Sequence, residues 1–189
     1  MSRQAMNHSA EKPVLLAMGA ALTALLIAAV LTVGNPGLVR QTSGAHSGQR
    51  EQAMATITRL MERLQENPED REALRRLANA FTAMQAWERA SSFWQRLVSL
   101  DQDDLKARQN LAMTYFRMGE HRAAAEELES VLQRDAGGVY AHFNLGILYG
   151  YYLESPDKAV EHLRAVARNT QAPDDLRKEA RKHLQELQQ

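Results

Sequence analysis

The sequence predicts an all-α fold: about three helix-turn-helix repeats stacked as a superhelix, flanked by capping helices and preceded by a single transmembrane helix. Three observations carry this expectation. Leu77, Leu111 and Leu145 recur at a spacing of 34 residues, each followed by a small residue (Ala78, Ala112, Gly146) and, four positions after the leucine, by an aromatic one (Phe81, Tyr115, Tyr149). Ala90, Ala124 and Ala159 also repeat, each with a bulky residue four positions on (Trp94, Leu128, Leu163) and then Leu97, Val131 and Val166. Finally, Val14 to Val33 is a run of 20 residues without a charge. Small residues at helical spacing let antiparallel helices approach closely, while leucines and aromatics fill the space between neighbouring pairs. The step from Ala124 to Ala159 is one residue longer than the step before it, which puts an inserted residue in the third inter-helix turn.

The elements follow in order. Residues 1–12 read as a cytoplasmic tail and 13–33 as a transmembrane anchor, since about 20 apolar residues cross a bilayer core. A cleaved signal peptide is the competing reading. Its apolar region is usually about 7 to 15 residues long and ends in a small-x-small site, whereas this run is longer and ends in Thr32-Val33-Gly34. Arg3, Lys12 and the terminal amine precede the run, and Arg40 is the first basic residue after it. By the positive-inside rule the N-terminus stays in the cytoplasm and the rest lies outside it, which in a bacterium means a single-pass inner-membrane protein with a periplasmic domain. Residues 34–49, rich in Gly, Ser, Asn and Pro, read as a flexible linker spanning roughly 20 to 25 Å on average.

Residues 50–189 form the repeat domain. A leading helix over 50–67 carries Met54, Ile57, Leu60, Met61 and Leu64 at spacings of three and four, and Asn67-Pro68-Glu69-Asp70 breaks it. Repeats are expected over 71–104, 105–138 and 139–173, with inner turns near Met84 to Ala86, Met118 to Glu120 and Leu153 to Pro156. Pro173-Asp174-Asp175 opens a capping helix over 174–188, with acids favouring the start of the helix dipole. Leu176, Ala180, Leu184 and Leu187 give that helix one apolar face.

Composition removes several kinds of chemistry. The chain has no cysteine, so it performs no thiol, disulfide or thiolate-metal chemistry and attaches no heme through Cys-x-x-Cys-His. Beyond residue 40 there are 20 Lys and Arg against 22 Asp and Glu, interleaved as on solvated helix faces, and nothing there calls for nucleic acid. The six histidines are His8, His46, His121, His142, His162 and His183, and no two are three or four apart on one helical face. No catalytic or metal-ligating residue is therefore assigned. Gly137-Gly138 reads as a helix end, since no Lys-Ser or Lys-Thr follows. Trp87 and Trp94 fall where the second helix packs on the first. No cofactor and no enzymatic activity is expected.

The 34-residue period with this small and large pattern resembles the tetratricopeptide repeat, over about residues 50–189. In that family the first helix of each pair lines the concave surface. The resemblance places there Glu72, Arg75, Asn79 and Thr82 from the first repeat, Lys106, Gln109, Met113, Phe116 and Arg117 from the second, and Tyr140, Phe143, Ile147 and Tyr151 from the third. The implied groove grades from polar to apolar, rimmed by Arg75, Lys106 and Arg117, and suits the apolar stripe of a partner helix or an extended peptide ending in acidic groups. The alternative occupant of part of the patch is the capping helix. In the carboxylate clamp of chaperone cofactors of this family, Arg75, Asn79 and Asn110 match the first three positions, while Tyr140 and Asn144 stand where two cations are expected.

The anchor, linker and repeats, entered through Arg63-Leu64-Gln65-Glu66-Asn67-Pro68, resemble the accessory subunits of bacterial cytochrome c maturation. That resemblance implies a holdase whose partner is an apocytochrome or a heme-lyase component. Two other readings stay open: an ancillary periplasmic subunit of the protein-export machinery, and a structural scaffold in which the groove face seals a homodimer.

Overall fold

A computed structural model of the chain describes residues 36–188. The expected tail, 1–12, and anchor, 13–33, lie outside the described residues. Among the described residues no helix is long and apolar enough to cross a membrane. The chain divides into two compact units at Ala55 and Thr56.

Of the first unit, residues 36–55 are described, and they are helical: α1 runs over Pro36–Glu66. Residues 36–49, expected as a flexible linker, are thus helix. Pro36 suits a first turn because its missing amide hydrogen has no intrahelical acceptor there, and no further proline interrupts the ladder before Pro68. Glycine weakens a helix by about 1 kcal/mol and serine by less, and neither forbids it.

The second unit holds the end of α1 and seven further helices: α2 (Arg71–Ala83), α3 (Trp87–Leu100), α4 (Leu105–Met118), α5 (His121–Arg134), α6 (Val139–Tyr151), α7 (Pro156–Arg168) and α8 (Asp174–Glu186). They form three antiparallel pairs closed by α8, the all-helical stack the repeat predicts. Ile57, Leu60 and Leu64 of α1 are buried against the first pair, in one cluster with Leu74, Leu77, Trp94 and Leu97. Met61, on the same expected stripe, remains 41% exposed.

Each recurring leucine is buried at the equivalent place: Leu77 in α2, Leu111 in α4 and Leu145 in α6. The small residue after it sets the distance to the second helix. At Gly146 the requirement is strict, because a Cβ there would lie 2.6 Å from Leu163 Cγ.

Local chemistry fixes the helix ends. Asp70 and Asp104 cap α2 and α4, accepting hydrogen bonds from the amides of Ala73 at 2.9 Å and Ala107 at 3.0 Å. Gly119 ends α4 at φ 79°, the left-handed conformation that glycine adopts without a Cβ penalty. The longer third turn, residues 152–155, carries Glu154 at φ 50°.

Polar ties act within the first repeat, from it back to the turn after the leading helix, and between the first and second repeats. Arg71 reaches Asp101 at 3.0 Å, Arg96 donates to the Pro68 carbonyl at 2.7 Å, and Arg134 reaches Asp103 at 2.9 Å. At the end of the stack, Leu163 and Val166 of α7 are sealed by Ala180 of α8, with Leu176, Leu184 and Leu187 packed around them.

Candidate functional site: an apolar pocket between α4 and α6

Side chains at every third or fourth position of an α-helix share a face, so α4 presents Met113 with Phe116, and α6 presents Phe143 with Ile147. These two faces enclose a cavity of about 160 Å³. Met113 and Phe116 form one wall; Phe143, Asn144 and Ile147 form the other; Ala112, Leu128 and Leu148 make the floor. An apolar cavity of about 150 Å³ has room for a benzene-sized group, so this one accepts a single large apolar side chain. Asn144 Nδ2 points at Met113 Sδ, 3.8 Å away, and is the polar atom set in the rim. Met113 is 40% exposed at the mouth.

The electrostatic character follows from the sequence of the walls. Neither α4 nor α6 contains an Asp or Glu, whereas α4 carries Lys106, Arg108 and Arg117. Arg108 is buried and committed to Glu127 at 2.7 Å. Lys106 is exposed, and Arg117 lies over the Trp87 ring at 5.9 Å, so these two cations remain near the surface of the face.

The other residues singled out in the sequence are placed differently. Arg75 forms an ion pair with Asp104 at 2.5 Å. Burial alone would raise the Asp104 pKa, but the Ala107 amide and the Arg75 guanidinium outweigh it and hold the carboxyl below its ordinary value. Asn79 and Asn110 are exposed on α2 and α4, outside the cavity lining. Tyr140 is 57% exposed at the start of α6 and also does not line the cavity. Tyr151 is engaged by the capping helix: its hydroxyl donates to Glu186 at 2.7 Å and lies 2.7 Å from His183 Nδ1. Burial first, then the Glu186 carboxylate, pushes its pKa up to about 12. Phe143 serves both regions, lining the cavity while packing against the α7–α8 cluster.

The apolar face thus divides. Met113, Phe116, Phe143 and Ile147 converge on the pocket; Tyr151 goes to α8. Tyr152 was not singled out, yet its ring meets Phe116 edge-on at 5.1 Å, and His121 stands 4.4 Å from Tyr152, so the back of the Phe116 wall is braced by the third turn. Its place in an irregular turn hides it from any periodicity. A second feature invisible to helix periodicity is the approach of His142 to His162 across α6 and α7. Burial first, then the neighbouring His142, lowers the His162 pKa below its ordinary value.

Several solved structures are similar to this chain. MamA superposes with a TM-score of 0.57 at 19% sequence identity, covering 77% of this chain and 92% of that one. PcrH, in complex with the chaperone binding region of PopD, gives 0.56 at 19% identity, covering 62% and 90%. YrrB, a TPR protein with an unusual peptide-binding site, gives 0.60 at 24% identity, covering 70% and 68%. The chain matches no family model and no curated protein. At these identities the likeness establishes the fold, a tetratricopeptide stack of helix pairs.

Proposed function

We propose that this protein is a non-enzymatic adaptor that holds a partner peptide or helix on the face formed by α4 and α6. The observation that carries the proposal is the cavity of about 160 Å³. Met113 and Ile147 stand outside the buried clusters that pack the helix pairs, and with Phe116, which also leans on His121 of its own pair, they gather around a space sized for one side chain. Two structural neighbours support the reading by what they hold or are said to hold: PcrH is seen with a segment of PopD, and YrrB has a peptide-binding site. The ligand is an apolar anchor residue in a segment that also carries acids, because the walls hold no carboxylate and Lys106 and Arg117 flank them.

The finer reading rests on sequence alone. The uncharged run over 13–33 tethers the repeats to the bacterial inner membrane, on its periplasmic side, and the stretch Arg63 to Pro68 aligns the protein with the accessory subunits of cytochrome c maturation. The partner is then the C-terminal region of an apocytochrome, or a heme-lyase component, held while another protein performs the chemistry.

Photocrosslinking from position 113 in intact cells, with mass spectrometric identification of the captured partner, tests both levels. Capture of apocytochromes or heme-handling proteins, abolished by Ile147→Asp, supports the full reading. Capture of translocon subunits or varied exported chains keeps the adaptor and moves it to protein export. Crosslinks to a second copy of the chain would instead mark the face as a dimer interface.

A further inference from the structure

His142 on α6 and His162 on α7 meet at their Nδ1 atoms, 2.9 Å apart, although they are 20 positions apart in sequence. The other nitrogen of His142 lies 3.1 Å from the Ala136 carbonyl oxygen. A carbonyl only accepts, so His142 Nε2 carries the hydrogen and its Nδ1 presents a lone pair to His162. An imidazole whose far N–H is tied to a backbone carbonyl is oriented in the way metal-ligating histidines are. His162 is also held in place, since the Tyr149 ring stacks on it at 5.9 Å with 6° between planes. Tyr149 is itself fixed by its hydrogen bond to Glu129 and by Lys158.

We propose that His142 and His162 form a two-imidazole site for a transition-metal dication of the copper(II) class, with solvent completing the coordination. Affinity selects the class, since imidazole sites bind copper(II) more tightly than nickel(II) or zinc(II). With metal–nitrogen bonds of about 2.0 Å, two nitrogens lie about 2.8 Å apart at a right angle and about 3.3 Å apart on a tetrahedral ion, and rings that turn out of a 2.9 Å hydrogen bond reach either spacing. Right-angled nitrogen pairs belong to the tetragonal geometry of copper(II) and nickel(II), and copper(II) is the more tightly bound of the two.

Among the described residues no group of three or more His, Cys, Asp or Glu side chains converges as a metal site, so water supplies the remaining ligands. To bind, neutral His162 shifts its hydrogen from Nδ1 to Nε2, both rings turn their Nδ1 lone pairs toward the ion, and no proton leaves the protein. Glu161 and Glu129 act on this ring with negative charge and Lys158 with positive, so the carboxylates outnumber the single cation around the ion.

The site joins α6 to α7 within one repeat and is independent of any peptide on the α4–α6 face. The test is a titration of the full-length protein in mild detergent with copper(II) alone, followed by electron paramagnetic resonance and calorimetry. One equivalent with a two-nitrogen hyperfine pattern is expected, together with a metal-dependent rise in the thermal midpoint. In His142→Gln and in His162→Gln that pattern is lost and the affinity falls at least tenfold, while His46→Gln keeps both. Helical circular dichroism monitors folding, and His142→Gln, on the more open ring, decides the matter if His162→Gln unfolds. Retention of the two-nitrogen pattern in a folded His142→Gln, or its absence from the parent protein, overturns the proposal.

Discussion

At position 146 the demand for space outweighs helix propensity. Alanine is the better helix former by about 1 kcal/mol, yet its Cβ would stand 2.6 Å from Leu163 Cγ and 2.8 Å from Cδ2. Overpacking of a filled core costs about 1–3 kcal/mol, so Gly146→Ala lowers the urea midpoint despite adding a helix former, and Leu163→Ala in the same chain recovers part of that particular loss. Arg75 makes a different case. Its guanidinium is held by Asp104, in a partly exposed pair of the kind worth up to about 1 kcal/mol. Arg75→Ala therefore shows a small stability loss in chemical denaturation and little change in partner binding. Ile147→Asp shows the reverse, because it places a carboxylate in the pocket wall while Leu145 and Leu148, the buried leucines of the same helix, are kept. A fluorescence-anisotropy assay with a partner peptide separates the two substitutions.

The element whose hold depends on pH is α8. It meets α6 through Tyr151, Glu186 and His183. The Tyr151 hydroxyl, donating to Glu186, is the largest influence holding that carboxyl below its ordinary value of 4.5, with His183 adding to it. A carboxylate with a depressed folded-state pKa contributes stability above its unfolded pKa and loses it as pH falls through the folded one. The α8 contact is therefore at full strength above about pH 4.5 and weakens below it. Hydrogen exchange, corrected for intrinsic rates, is expected to show α8 opening more often at pH 4 than at pH 6. Tyr151→Phe removes the donor, and the difference between the two pH values shrinks. The Asp104 cap of α4 also has a lowered pKa, so Glu186→Gln, which removes only the latch, assigns the effect to α8.

Over the whole stack, the parts that could be read in the sequence are those that repeat. Leu77, Leu111 and Leu145 announce themselves because each helix pair solves the same packing problem. Residues 36–49 have the composition of a linker and are helix, because glycine and serine disfavour a helix without breaking it. Phe143 and Tyr151 give the same signal along α6, and only the position of α8 shows Phe143 shared between pocket and cap and Tyr151 committed to the latch. His142 and His162 sit on two helices, where periodicity within either one is silent. Stacks of this kind gain stability largely between neighbours, so an end unit depends on its cap. Ending the chain after Pro173 strips the cover from Leu163 and Val166, both fully buried beneath α8, and each such side chain is worth about 1.5–3 kcal/mol. The truncated protein is expected to unfold at lower urea and to self-associate in sedimentation through the bared α7 face. If instead it keeps its midpoint and stays monomeric, α8 is not what stabilises the third repeat, and its contact with Tyr151 belongs to control of the groove.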